Sequence, residues 1–143
     1  MIKIRHTGLV TYNLKKSLTF WNKNLKFKIK KRIIESGPLI DKVMGYKSAK
    51  VETVKLIDYK GMQLELLHFK NSPKIKNKII KPYSKGFTHI SITVKNIVGI
   101  YKMLKKKNIK FNSKPLKSAD GMVLMTYCQT PEGAYLELVQ EIK

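Results

Sequence analysis

The sequence predicts an α+β protein built from two tandem βαβββ modules. One observation is an internal repeat. An extended segment ends in His6 in the first half and in His89 in the second, and seven residues after each histidine an asparagine precedes an amphipathic helix. A second observation is that each half closes on a glycine turn and a strand, with four positions from glycine to glutamate. These closing segments are Gly61–Glu65 and Gly133–Glu137. Equal spacing in both halves indicates one supersecondary unit used twice.

Periodicity and chain breakers place the elements of the first module, residues 1–70. Asn13 is a good helix N-cap, because its side-chain oxygen can accept a hydrogen bond from a free amide of the first turn. One helix face then carries an apolar stripe at spacings of four, three and four, formed by Leu14, Leu18, Trp21 and Leu25. A short helix is considered between 37 and 50. The predicted strands are 2–12, 26–35, 50–58 and 62–69.

A segment rich in lysine with two prolines, 70–86, is predicted to be a surface linker. The second module, residues 87–143, repeats the order of the first, and Asn96 caps its helix. Its predicted strands are 88–94, 109–112, 121–128 and 134–141.

The strand phases indicate where the polar side chains of each half point. Side chains alternate between the two faces of a strand, so His89 lies opposite the isoleucines that flank it. Glu137 likewise lies between two leucines, and Glu65 between two more. We therefore expect the apolar set to pack on the helix and each His and Glu to face away from it.

Composition limits the classes of function. Forty-three per cent of the residues are hydrophobic, and no long apolar run is present, which predicts a globular protein without a membrane span. The net charge is +21, but only Arg5 and Arg32 among the 30 basic residues are arginines, and the lysines are spread along the chain. Nucleic-acid readers favour clustered arginines, so we expect no nucleic-acid partner. The single cysteine, Cys128, fits a reducing cytoplasm.

The repeated pattern resembles the vicinal oxygen chelate superfamily, which includes glyoxalase I, methylmalonyl-CoA epimerase, extradiol dioxygenases and bleomycin-resistance proteins. Four segments carry the resemblance: 6–21, 61–69, 88–96 and 130–141. The glyoxalase I and epimerase branches are the most similar to this chain. The resemblance implies two βαβββ modules that form a half-barrel around a metal, so we expect residues 1–143 to form a single domain of this type.

The resemblance also implies the site. The positions that match the metal ligands of the family are His6, Glu65, His89 and Glu137, which suit one divalent ion such as Zn, Ni, Co, Mn or Fe. The implied reaction is abstraction of a proton next to the carbonyl of a small-molecule substrate. The implied base is Glu137, with Glu65 as its counterpart; Glu35 and Glu52 lie on neighbouring strands and stay open as bases.

Two positions depart from glyoxalase I of the bacterial type. The arginine that holds glutathione in those enzymes is replaced by Val10, and the asparagine four residues after the first glutamate ligand is replaced by Phe69. Both replacements argue against a glutathione substrate. The alternative functions are an extradiol dioxygenase and a metal-free binding or resistance protein. A fourth protein ligand argues against the dioxygenase. We interpret His68 as a structural or surface residue and Cys128 as an inert thiol. We expect a homodimer, with the site within one chain or across two.

Overall fold

The structure is a computed structural model, and it describes residues 1–72, 75 and 79–142. The chain separates into two compact units, Met1–Asn77 and Lys78–Lys143. These are the N-terminal and the C-terminal unit.

The N-terminal unit contains a four-stranded mixed sheet in the order β1-β4-β3-β2. The first strand pairs parallel with the last, and the other pairs are antiparallel. Its elements are β1 Thr7–Val10, α1 Leu14–Leu18 continuing as a π-helical turn Thr19–Asn24, β2 Lys28–Ser36, α2 Pro38–Met44, β3 Lys50–Ile57 and β4 Gln63–Phe69.

The C-terminal unit repeats this arrangement with the order β5-β8-β7-β6, again with the first and last strands parallel. Its elements are β5 His89–Thr93, α3 Ile97–Lys106, β6 Leu116–Lys117, β7 Val123–Gln129 and β8 Tyr135–Glu141. The predicted α+β class with two tandem βαβββ modules is therefore confirmed. The short helix considered after β2 is α2, which is additional to the repeat.

The helices α1 and α3 begin after Asn13 and Asn96, as the sequence predicted. The Asn13 side chain accepts a hydrogen bond from the Lys16 amide at 2.9 Å, and that of Asn96 accepts one from the Gly99 amide at 2.8 Å. Each asparagine satisfies one of the free amides of a first turn and thereby caps the start of its helix.

Two strand predictions were wrong, and one strand was missed. The first strand covers only Thr7–Val10 rather than 2–12, because β1 pairs with β4 over those four residues alone. Residues 109–112 form no strand; Phe111 makes one isolated bridge to Cys128. The two-residue strand β6, which pairs with β7, was not predicted. The predicted linker 70–86 lies partly outside the described residues. Strand β4 ends before it at Phe69, and strand β5 begins after it at His89.

Each sheet has one face that forms the core. In the N-terminal unit this face carries the fully buried side chains of Val54, Leu56 and Leu66, and Trp21 is fully buried as well. In the C-terminal unit Leu136 and Leu138 are fully buried on the equivalent face. The glutamates between these leucines therefore point to the opposite face, as predicted. No helix in the described part of the chain is long and apolar enough to cross a bilayer.

Candidate metal centre

The first predicted pair of ligands comes together at the β1–β4 edge of the N-terminal unit. Gly8 on β1 is the register partner of Glu65 on β4, and His6 comes two residues earlier, so its side chain is on the same face as Glu65. His6 Nε2 lies 3.4 Å from Glu65 Oε2. The imidazole is about one-third exposed, at 35%, whereas the carboxylate side chain is only 8% exposed.

The second pair has the same construction in the C-terminal unit. Ser91 on β5 is the register partner of Glu137 on β8, and His89 again comes two residues earlier. His89 Nε2 lies 3.8 Å from Glu137 Oε2, with side-chain exposures of 40% and 17%. The sequence repeat is therefore also a repeat of strand register.

The spacing of the first pair fits two ligands of one ion, and that of the second is slightly too wide. Ligand atoms at about 2.1 Å from a metal, separated by an angle between octahedral and tetrahedral, lie roughly 3.0–3.4 Å apart. The His6–Glu65 distance of 3.4 Å falls at this limit, and the His89–Glu137 distance of 3.8 Å is slightly wider. Imidazole nitrogen with carboxylate oxygen is a donor set that suits Zn and neighbouring transition metals.

The four predicted ligands form two His–Glu pairs, one within each unit. No group of three or more His, Cys, Asp or Glu side chains placed to hold a metal occurs among residues 1–72, 75 and 79–142. The ligand set therefore stays a prediction from the repeat and the resemblance, with two half-sites as its structural basis.

Lys55 on β3 is the direct cross-strand partner of Glu65. Its ammonium lies 3.1 Å from Glu65 Oε1, which is ion-pair distance, although the angle gives no hydrogen bond. This buried oxygen consequently takes no hydrogen bond from any described residue. An oxygen of this kind retains a lone pair that a cation can use.

Tyr127 on β7 holds the equivalent position beside Glu137. Its ring packs edge-to-face on His89, with centroids 5.4 Å apart. Burial raises the pKa of Tyr127, and the charge of Glu137 and a hydrogen bond between the two side chains add to that rise. The phenol is therefore protonated at neutral pH and donates to the Glu137 carboxylate. It contacts both predicted ligands of its unit.

Lys55 and Tyr127 were missed at the level of sequence. A signal for them existed, because each lies ten residues before its glutamate across a β-hairpin of the same length. This equal spacing identifies cross-strand neighbours only when the pairing register of the hairpin is known, and the turn sequence alone does not determine that register.

The structure also shows on which face of the sheet Glu35 and Glu52 lie. Glu35 pairs with Val51 and shares the face of Glu65. Glu52 instead shares the opposite face with His68, its register partner. Hydrogen bonds from Lys70 and from Arg32, the latter at 2.5 Å, lower the pKa of Glu52. It is 5% exposed and engaged by two cations, so it does not serve as the base of this site.

His68 lies on the face opposite Glu65, as predicted, and its Nδ1 is 3.0 Å from the carbonyl oxygen of Thr11. This bond connects β4 to the residue just after β1. The geometry agrees with a structural role.

Cys128 is a buried free thiol on β7, and burial raises its pKa to about 12. Because the thiolate is the reactive form, we expect no labelling by an aromatic disulfide reagent at pH 8 in the native protein and one thiol per chain after denaturation in urea. Full labelling of the native protein within minutes would contradict this prediction.

The chain matches the model of the Glyoxalase/Bleomycin resistance protein/Dioxygenase superfamily over residues 3–138. It therefore belongs to that superfamily, in agreement with the two-module fold and the repeated pairs.

Three relatives illustrate the similarity. The "Uncharacterized protein YwbC" of Bacillus subtilis is 23% identical over 96% of this chain and 97% of its own length. A glyoxalase family protein from Bacillus cereus has a TM-score of 0.90 at 19% identity, covering 100% of this chain and 96% of that one. The trypanothione-dependent glyoxalase I of Leishmania major has a TM-score of 0.66 at 18% identity, covering 99% and 88%. The likeness to these solved structures shows the shared fold.

Proposed function

We propose that this protein is a metal-dependent lyase or isomerase that abstracts a proton next to the carbonyl of a small carbonyl compound or thioester. The ligands of its divalent ion in this proposal are His6, Glu65, His89 and Glu137. When bound, such an ion supplies Lewis-acid stabilisation of the oxygen that becomes negative as the proton leaves.

The observation that carries this proposal is the repeated His–Glu register. Each histidine comes two residues before the register partner of its glutamate, and the distances within the pairs are 3.4 and 3.8 Å. A fold alone requires neither an imidazole nor a carboxylate at these positions, since burial of a carboxylate carries a free-energy cost. Their presence in both units supports a shared chemical role.

Glu137 is the proposed base. Its side chain is 17% exposed, against 8% for Glu65, and its cross-strand neighbour is a neutral phenol rather than an ammonium. In this proposal, Glu137 takes the proton from carbon and returns it, while the hydrogen bond from Tyr127 keeps the carboxylate oriented. Glu65, held beside Lys55, has the more static role of ligand.

The substrate differs from that of glutathione-dependent enzymes in this proposal. The position of their glutathione-binding arginine is Val10, whose apolar side chain is 50% exposed. Phe69, in place of asparagine, packs edge-to-face on Tyr46 with centroids 6.5 Å apart. Neither residue can donate a hydrogen bond or a positive charge from its side chain.

Metal titration of the purified protein tests this proposal. We expect tight binding of a divalent ion from the Zn, Ni, Co, Mn and Fe series, detected by elemental analysis after gel filtration. We expect His6→Ala to weaken binding by more than the roughly 10–100-fold that loss of an outer-shell partner costs, because it removes a ligand. Turnover is then sought with hemithioacetal, acyl-CoA and catechol substrates.

His68→Ala is the matched control, because His68 lies on the same sheet but the opposite face. It should leave metal content unchanged. Equal metal binding by wild type and His6→Ala would exclude His6 as a ligand. Oxygen consumption with a catechol, instead of proton exchange on a carbonyl substrate, would favour the extradiol dioxygenase. The homodimer and the cytoplasmic location stay predictions.

A further inference from the structure

A row of four register partners crosses the sheet of the N-terminal unit beside the His6–Glu65 pair. In strand order the row is Lys31 on β2, Lys55 on β3, Glu65 on β4 and Gly8 on β1. All four positions face the side of the sheet that carries the predicted ligands.

The two lysines in this row are directly opposite one another. Like charges at directly opposed positions of an antiparallel pair destabilise the sheet. The strand register also shifts between Ile29 and Lys31, which is a β-bulge. Bulges redirect side chains and are frequent next to functional sites. A locally unfavourable pair beside a predicted site indicates that the two ammonium groups have a function other than stability.

The C-terminal unit shows that the fold does not need this pair. Its corresponding row contains Tyr127, Glu137 and Ser91, with a phenol where the N-terminal unit has the Lys55 ammonium. The His–Glu pair is duplicated, whereas the group directly across from the glutamate is an ammonium in the N-terminal unit and a phenol in the C-terminal unit. The two lysines therefore give the N-terminal row a positive charge that the repeated His–Glu pairs do not provide.

We propose that Lys55, assisted by Lys31, binds a carboxylate or phosphate group of the substrate. Lys55 is 26% exposed, so a ligand can reach its ammonium, and its ion-pair partner in the row is Glu65 Oε1 at 3.1 Å. An ammonium has three donor hydrogens, and as a point charge it suits either anion. The row carries two positive charges against one negative, so an added anion balances it. This inference rests on the proposed function only in naming the bound anion as substrate.

The test is calorimetric titration of the metal-free protein at constant ionic strength with three probes: malonate, inorganic phosphate and the uncharged malonamide. We expect binding of malonate, of phosphate or of both, and none of malonamide; the preferred anion identifies the substrate group. Lys55→Gln should weaken that binding by about tenfold or more, since it removes a charge-assisted hydrogen bond, and Lys55→Arg should retain most of it. Lys31→Gln should give a smaller loss of the same sign.

Lys50→Gln is the control, because Lys50 is an exposed lysine on the same strand but the opposite face. It should leave the affinity unchanged, and circular dichroism verifies the fold of every variant. An equal loss in Lys50→Gln, unchanged affinity in Lys55→Gln, or equal binding of malonamide would overturn the proposal. Because no metal is present, failure here leaves the metal titration unaffected, and a protein that binds malonate without binding a metal would overturn only the proposed function.

Discussion

Glu137→Gln should reduce turnover by orders of magnitude while leaving the protein folded. Glutamine has nearly the shape of glutamate but cannot accept the substrate proton, and general acid–base catalysis contributes about 10²–10⁴ in rate. We therefore expect kcat to fall by about a thousandfold on the substrate identified by screening, together with weaker retention of the metal ion. Steady-state kinetics at saturating metal separates the two effects.

Two controls make this result specific. Glu65→Gln should weaken the metal but, once the ion is saturating, retain more turnover than Glu137→Gln, because Glu65 is proposed to be a ligand only. Glu141→Gln, at an exposed position at the end of the same strand, should behave as wild type. Full activity and full metal content in Glu137→Gln would remove this residue from the site.

Trp21→Ala should be the most destabilising substitution of the N-terminal unit. Trp21 is fully buried and packs edge-to-face on Phe20 and Phe27, with centroids 5.1 and 5.5 Å apart. Truncating a buried tryptophan costs about 3–5 kcal/mol, out of a typical total of about 5–15 kcal/mol. Urea denaturation followed by circular dichroism measures this loss.

Leu39→Ala provides the matched comparison, because Leu39 on α2 is 73% exposed. Its free energy of unfolding should stay within about 0.5 kcal/mol of wild type. A similar small effect of Trp21→Ala would mean that the stripe on the first helix does not form the core of its unit.

The sequence predicted the features that depend on local chemistry. Asn13 and Asn96 begin their helices because a short polar side chain satisfies a free amide, and Glu65 and Glu137 face away from the core because side chains alternate along a strand. Periodicity of this kind is visible in one dimension. The order of elements followed from it, together with the repeat.

Features that depend on pairing between strands were less predictable. The first strand begins only at Thr7 and ends at Val10 because it pairs with β4 over those four residues alone, and Phe111 makes a bridge instead of a strand. Lys55 and Tyr127 became visible as neighbours of the two glutamates only when the hairpin register was known. The facing of Glu65 and Glu137 was thus predicted, and the groups that distinguish one unit from the other were not.

Pairing of the opening strand with the closing strand has a consequence for biosynthesis. In each unit the histidine lies at the start of the chain segment and the glutamate near its end, and they meet only through the parallel β1–β4 or β5–β8 ladder. A growing polypeptide therefore has no first half-site until β4 has been made, and no second until β8 has left the ribosome. Contacts between distant parts of a chain form slowly. Capacity to hold an ion should accordingly arise among the last events of folding, and a chain truncated before β8 should lack it.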